Sequence, residues 1–421
     1  MKYENTLAFA QRLDSEDPLR ELGAEFLRPQ GADGSDLLYF CGNSLGLQPR
    51  RTRDYIDEEL LSWEQRGIEG YFGGQRPWLS YHEELSKLMA KVVGAHPSEV
   101  IVMNTLSVNL HLMLVSFYQP SGRRCKVVVE ADIFPSDRYA IESQIRLHGR
   151  KPEGCIIEIS PRSDEICLRE EDILSTIAEH GDEIALVLLG NTNYYTGQYF
   201  DMKAISQAAQ AVGAYAGYDC AHGAGNLPLD LHHSGCDFAV WCNYKYLNSG
   251  PGSPGGAFVH ERHRYNKDLP RLAGWWGHDE AIRFNMRDAF DPMMGAAGWQ
   301  VSCPTVIALA AVRASLDIYE AAGGMAVIRR KSIQLTGYLE YLLSSLPSDR
   351  ISIITPTEPE QRGAQLSISI QGAGKDMHDS ITSLGVVADW REPGVIRLAP
   401  APLYNTYAQV YQLVQVIASC L

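Results

Sequence analysis

The chain has 421 residues, 45% apolar and 21% charged, with a formal net charge of −14 at pH 7. That balance fits a folded protein of about two domains and excludes disorder, collagen and coiled coil as the main architecture. The acidic excess argues against nucleic acid or an anionic membrane surface as a partner.

The N-terminal stretch mixes charges of both signs and has no apolar h-region, so no secretory signal is expected. From about residue 97, short apolar runs alternate with amphipathic helical patterns. Strands are expected at 126–131, 155–160, 184–189, 214–219, 237–242 and 255–260, and helices at 136–149, 169–181 and 201–213. The last two helices end on the Gly expected just past a C-terminus. Such alternation predicts an α/β fold with a mostly parallel sheet covered on both faces. Ile184 to Leu189, the longest strongly apolar run, is far below the ~20 residues of a membrane span, so no membrane is expected either. After about residue 304 the texture changes. Long helical patterns at 304–322 and 325–346 precede runs at 350–356 and 364–370, a helix at 375–385, the stretch VVADW, a run at 395–400 and a final helix. This predicts a smaller α+β domain.

Nine cysteines, at 41, 125, 155, 167, 220, 236, 242, 303 and 420, include no C-x-x-C pair. Neither a disulfide framework nor a zinc knuckle follows, and reduced thiols in a cytoplasmic protein are expected. His222, His232 and His233 are the one histidine group weighed as metal ligands, and no metal is expected.

Ligands of open parallel sheets sit beyond the carboxyl ends of the strands, so the polar clusters there carry the functional reading. Lys245 lies between the strand DFAVWC and the loop SGPGSPGG. Burial there would lower its pKa and suit an amine nucleophile that forms Schiff bases. Asp219 closes the strand AYAGY, 26 residues earlier. A carboxylate so placed can pair with a protonated heteroaromatic nitrogen, which is how an enzyme keeps pyridoxal phosphate an electron sink. Taken singly, Lys245 reads as a snorkelling charge and Asp219 as a turn cap; together they point to one cofactor. Ser107, near the start of the helix VNLHLMLVSF, and Ser136, in Phe134-Pro135-Ser136-Asp137, are helix-start serines suited to a phosphate. Arg397, a strand arginine among apolar neighbours, can grip a carboxylate with its fork. Gly274-Trp275-Trp276-Gly277-His278 suggests an aromatic-binding or interface loop.

The segments CGNSLGLQP, FPSDRYAIES, GYDCAHGAGN, WCNYKYLNSGPG, GWWGH and IRLAPAPLYN together resemble kynureninase, a fold-type I pyridoxal-phosphate enzyme of the aspartate aminotransferase superfamily. The resemblance runs from about residue 38 to 410. It implies a hydrolase acting on a carbon–carbon bond, cleaving the Cβ–Cγ bond of L-kynurenine or L-3-hydroxykynurenine. The products are anthranilate or its 3-hydroxy form and L-alanine, made in tryptophan catabolism, NAD biosynthesis or specialised metabolism. It implies an N-terminal segment, 1–49, associated with the small domain, a large cofactor domain, 50–310, and a small domain, 311–421. Lys245 would bond pyridoxal 5′-phosphate and Asp219 would meet its ring nitrogen. Phe134 would stack on the ring, with Pro135, Asp137 and His222 around it. Leu106, Ser107, Ser136 and Tyr244 would meet the phosphate, Tyr244 also moving protons well below its ordinary pKa. Trp275 would reach a neighbouring subunit's site in a homodimer with shared active sites. Arg397 and Ser44 would meet the amino-acid substrate. Three positions depart from the family pattern. Gly190 stands where a Ser or Thr is common, Cys303 where Asn or Thr is usual, and Tyr71 where relatives favouring the hydroxylated substrate carry His. Cys303 and Tyr71 are expected near the aryl ring. A cysteine desulfurase, an aminotransferase-like enzyme and a catalytically silent cofactor-binding protein are the rival readings.

Overall fold

The protein is described from a computed structural model, and the description takes in residues 2–346 and 350–421. A seven-stranded sheet runs in the spatial order Val100–Met103, Gly255–Val259, Phe238–Trp241, Tyr215–Asp219, Ile184–Gly190, Lys126–Glu130, Ile156–Ile159. The five strands from Phe238–Trp241 to Ile156–Ile159 are parallel to one another. Gly255–Val259 is antiparallel to both of its neighbours. The sheet is therefore mixed, and the expected parallel character holds for its main body.

Alternation along the strands builds two cores, one on each face, because successive side chains point to opposite sides. Val128, Val187, Leu189, Ala216, Tyr218 and Trp241 enter one core. Val127, Val129, Leu186, Leu188, Phe238 and Val240 enter the other. Helices fill both faces, which explains strands with almost no polar positions.

The helices Val306–Ala321 and Met325–Ser344 lead into a four-stranded sheet ordered Ile351–Ile353, Leu366–Ile370, Val395–Leu398, Asp389–Arg391. VVADW divides: Val386–Val387 pairs in parallel with Leu38–Tyr39, while Asp389–Arg391 joins the four-stranded sheet. Phe9, Ala10, Leu13 and Phe40 from the N-terminal end share a third core with Leu335, Leu339, Leu366, Leu398, Val410 and Leu413. Among the described residues no helix is long and apolar enough to cross a membrane.

Candidate active site

One pocket opens at the carboxyl ends of the parallel strands, lined by Leu106, Ser107, Glu130, Phe134, Ser136, Asp137, Gly190, Thr192, Tyr194, Asp219, Ala221, His222, Tyr244 and Lys245. Nine of the site residues expected from the sequence are thus together. Each arrives by local rules. Asp219 is the last residue of its strand, and its Oδ1 accepts from Ala221 N at 2.7 Å. Lys245 follows Phe238–Trp241, and its Nζ lies 3.0 Å from His222 Nε2 and 5.9 Å above the Phe134 ring. Asp219 and Lys245 therefore stand at neighbouring strand tips.

Two helices begin at the pocket, Leu106–Phe117 and Pro135–Leu147, and neither has a side-chain cap. Ser107 and Ser136 are the second residues of these helices rather than caps, and their hydroxyls meet at 2.7 Å. Among the described residues, the backbone N–H groups of Leu106, Ser107 and Val108 find no carbonyl partner. Uncapped N–H groups, two helix dipoles and two hydroxyls make a site for a dianion. Pro135 fixes the first helical residue, where its missing N–H costs nothing.

Three acids share the pocket with the lysine. Burial raises the Asp137 pKa well above the ordinary range, and the neighbouring Asp219 and Glu130 raise it further. Asp219 is also raised by burial, but Lys245, Asp137 and the Ala221 N–H oppose the rise. Asp137 is thus pushed the further toward its protonated form, and Asp219 is the member whose charge Lys245 and the Ala221 N–H support. Burial pushes Glu130 up to about 7, against the pull of Asn193 and the Gly190 N–H. His222 is driven far below its ordinary value by burial and by Lys245, so it faces the lysine as a neutral imidazole. Burial, with Cys242 and Asp219 adding, raises the Tyr244 phenol. The expectation that Tyr244 exchanges protons well below its ordinary pKa meets the opposite shift: burial holds this phenol protonated.

The remaining expected residues lie outside that lining. Arg397, 1% exposed, donates from Nη1 to Tyr194 O at 2.7 Å. Its Nη2 donates to Ser44 Oγ at 3.0 Å and pairs with Asp389. Tyr194 continues the link, since its ring stands edge-on to Phe134 at 5.4 Å. Ser44 also donates to Asp389, and Gly46 N donates to Tyr244 O at 2.8 Å. The N-terminal segment thus touches both the arginine and the lysine loop. Tyr71 and Cys303 meet each other at 3.5 Å and not the lysine pocket. Tyr71 lines a separate groove of about 400 Å³ with Trp63, Trp78 and Pro304. The tryptophan pair divides: Trp276 is buried and Trp275 is 48% exposed.

Glu130, Thr192, Tyr194 and Asp389 were missed in the sequence reading. Glu130 carried a usable signal, since it closes the strand KVVVE as Asp219 closes its own. The three weighed histidines do not cluster: His222 faces Lys245, while His232 bonds Glu99 at 3.0 Å. All nine cysteines are free, including Cys125 and Cys155, whose sulfurs are 3.8 Å apart.

These residues fit pyridoxal phosphate. The pocket offers a lysine, a strand-end carboxylate and a dianion cradle, and it buries two polar atoms, Asp137 Oδ1 and Thr192 Oγ1, that have no partner among the described residues.

Comparison with known proteins agrees. Residues 328–417 match a family model described as the kynureninase C-terminal domain. A kynureninase from Myxococcus xanthus is 53% identical over 415 residues, covering 99% of this chain and 97% of that protein. One from Koribacter versatilis is 50% identical, covering 98% and 97%. One from Stenotrophomonas maltophilia is 52% identical, covering 96% and 95%. Solved structures share the fold at low identity. A C-DES mutant with glycine covalently linked to its PLP cofactor has a TM-score of 0.76 at 14% identity, covering 91% of this chain and 97% of that one. The cysteine desulfurase of Thermococcus onnurineus has a TM-score of 0.73 at 17% identity, covering 91% and 94%. The architecture is that of fold-type I pyridoxal-phosphate enzymes.

Proposed function

The chain belongs to the kynureninase family, pyridoxal-phosphate hydrolases of carbon–carbon bonds in ketonic substances, and on that footing we propose how its residues divide the work. The substrate is L-kynurenine or a ring-substituted form such as L-3-hydroxykynurenine, cleaved to the anthranilate and L-alanine. The observation that carries this reading is the convergence of Lys245, His222, Asp219 and the two serine-bearing helix starts on one pocket.

When bound, pyridoxal phosphate supplies the electron sink for charge developing next to the substrate amine. Lys245 would hold the cofactor's aldehyde carbon, and once free its amine moves the Cα proton. Neutral His222 at 3.0 Å accepts a hydrogen bond from that amine without adding a second charge. Asp219, whose charge Lys245 and the Ala221 N–H support, would hold a proton on the ring nitrogen. Ser107, Ser136 and the N–H groups of Leu106, Ser107 and Val108 would hold the phosphate, and Phe134 would cover the ring. Arg397 grips the substrate carboxylate, which takes the place of Asp389 on the guanidinium fork. Water adds to the γ-ketone carbon, which leaves with it as the anthranilate when the Cβ–Cγ bond breaks, and Tyr244, held protonated by burial, gives its proton to Cβ.

We further propose a homodimer in which Trp275 reaches the partner's pocket and Tyr71 and Cys303 face the substrate's aryl ring. The exposure of Trp275, Ile68 and Phe72 supports this, as does the separation of Tyr71 and Cys303 from the lysine within one chain. The division at 1–49, 50–310 and 311–421 is supported by the third core, and a reducing cytoplasmic setting by the nine free thiols. A desulfurase would need a mobile reactive cysteine, whereas exposed Cys303 is flanked by Pro304 and rests on Tyr71.

The test is a parallel assay of the purified chain with pyridoxal phosphate and kynurenine, 3-hydroxykynurenine or cysteine. Anthranilate or its 3-hydroxy form is expected. Sulfide from cysteine without either anthranilate overturns the reading.

A further inference from the structure

The strand ends at Gly190, the chain bends at Asn191, and Thr192 bridges to Tyr199 before a turn begins at Tyr194. Gly190, Thr192 and Tyr194 all line the pocket. Asn191, between them, packs on Gly223, where a Cβ would stand 2.3 Å from its Nδ2. Thr192 is 6% exposed, and its hydroxyl has no partner among the described residues. Of the polar side-chain atoms buried in this lining, only Asp137 Oδ1 shares that condition, and Asp137 belongs to the carboxyl pair. Buried hydroxyls in folded proteins are nearly always paired, so this one is built for something that binds.

The cofactor has four groups to place. Its aldehyde carbon goes to Lys245, its ring nitrogen to Asp219 and its phosphate to the two helix starts. The ring oxygen beside the aldehyde is left, and Thr192 Oγ1 is the one fully buried hydroxyl of the lining without a partner among the described residues. Gly190 cannot serve this oxygen. It is the register partner of Asp219 on the next strand and carries no side chain. A Cβ there would stand 2.9 Å from Glu130 Oε1, a carboxylate already engaged by Gly190 N and Asn193 Nδ2. We infer that Thr192 is a cofactor-binding residue of this chain, its hydroxyl donating to the ring oxygen of pyridoxal phosphate.

The inference rests on the assignment of Lys245 and Asp219, and the test separates the two. A donor on the ring oxygen stabilises the more anionic form of the lysine-bound cofactor, so it lowers the pH midpoint of the visible chromophore. Thr192→Val keeps the shape and removes the donor. Its midpoint should rise by about one pH unit, and retention of pyridoxal phosphate in dialysis should weaken about tenfold, the scale of one hydrogen bond to a charged group. Thr192→Ser should restore both. The cofactor-free Thr192→Val protein should unfold no more easily than wild type, because the hydroxyl lost has no partner there. An unshifted midpoint beside a normal wild-type chromophore overturns the inference alone, as does a cofactor-free variant that is markedly less stable. A wild-type chain that takes up no cofactor overturns the Lys245–Asp219 assignment and this inference with it.

Discussion

A methyl group at Gly46 tests whether the N-terminal segment sets the position of the pocket lysine. Gly46 N donates to Tyr244 O at 2.8 Å, and the two segments approach so closely that a Cβ would stand 2.4 Å from Lys245 O and 2.8 Å from Asn248 Cα. It would also stand 2.2 Å from Asn248 Oδ1, whose side chain is held by a bond from Nδ2 to Tyr246 O at 2.7 Å. The first two contacts are backbone and cannot rotate away. Ordinary contact begins near 3.4 Å, so the lysine loop must retreat by about 1 Å. Overpacking of this kind costs ~1–3 kcal/mol, and a misplacement of about 1 Å at a reacting group costs roughly 100-fold in rate. Gly46→Ala should therefore lower kcat for kynurenine by about two orders of magnitude while the fold survives. Turnover is read beside the denaturant midpoint, with Gly154→Ala, where no atom lies within 4 Å, as the neutral control. A Gly46→Ala enzyme with wild-type kcat would refute the claim that this contact places Lys245.

Lys245→Ala should lose the visible cofactor absorbance and turnover together, and turnover retained on added kynurenine would contradict the assignment. Asp219→Ala should lose most activity with the lysine still present; an active variant would remove the electron-sink argument. Tyr71→His and Cys303→Asn should change the ratio of kcat/KM for kynurenine and 3-hydroxykynurenine by roughly tenfold, as a pocket contact worth ~1–3 kcal/mol does. An unchanged ratio would mean that the aryl ring is read elsewhere. Glu130 gives a pH signature in the cofactor-free protein. Its folded pKa of about 7 lies above the ordinary 4.5 because burial penalises the charge. As pH rises between those values the unfolded chain ionises first, so stability falls by ~3 kcal/mol across the window and stays lowered above it. Glu130→Gln should lack that fall, and parallel stability curves for the two proteins would show that Glu130 is not the source.

Much of this was legible in the chain. The strand Ile184–Gly190 and the helices Met202–Ala211 and Lys375–Ser383 lie within a residue or two of expectation because apolar periodicity and a following Gly or Val-Gly mark them. Val100–Met103 was not marked, since four apolar residues fit a buried helix turn as well as a strand. The antiparallel course of Gly255–Val259 was hidden too, because strand direction depends on the path of the loop that carries Lys245. In the site, Lys245 and Asp219 were readable only as a pair of strand-end charges, since singly each has an ordinary use as a snorkelling amine or a turn cap. Thr192 was not, since a threonine after a strand has many ordinary uses and its missing partner exists only in three dimensions. Asp389 was hidden because its partner Arg397 is brought to it by a register between neighbouring antiparallel strands.

The two extremities of the polypeptide are fastened to each other. Asp14 accepts from Tyr407 N at 2.6 Å and Ala408 N at 3.0 Å, capping the last helix, while Arg28 donates to the carbonyl of Tyr404. Lys331 pairs with Asp17 at 2.7 Å, and Leu38–Tyr39 finds its strand partner only at Val386–Val387. Translation delivers these halves in the wrong order. Helix Leu7–Glu16, with Phe9 and Leu13 bare, must wait for some 390 further residues before its seat exists. Contacts so distant in sequence form slowly, and the same waiting segment carries Gly46 and Ser44 to the catalytic cleft. The contacts of Ser44 with Asp389 and Arg397 therefore join positions about 350 residues apart, and they can close only after every strand of the central sheet has been synthesised.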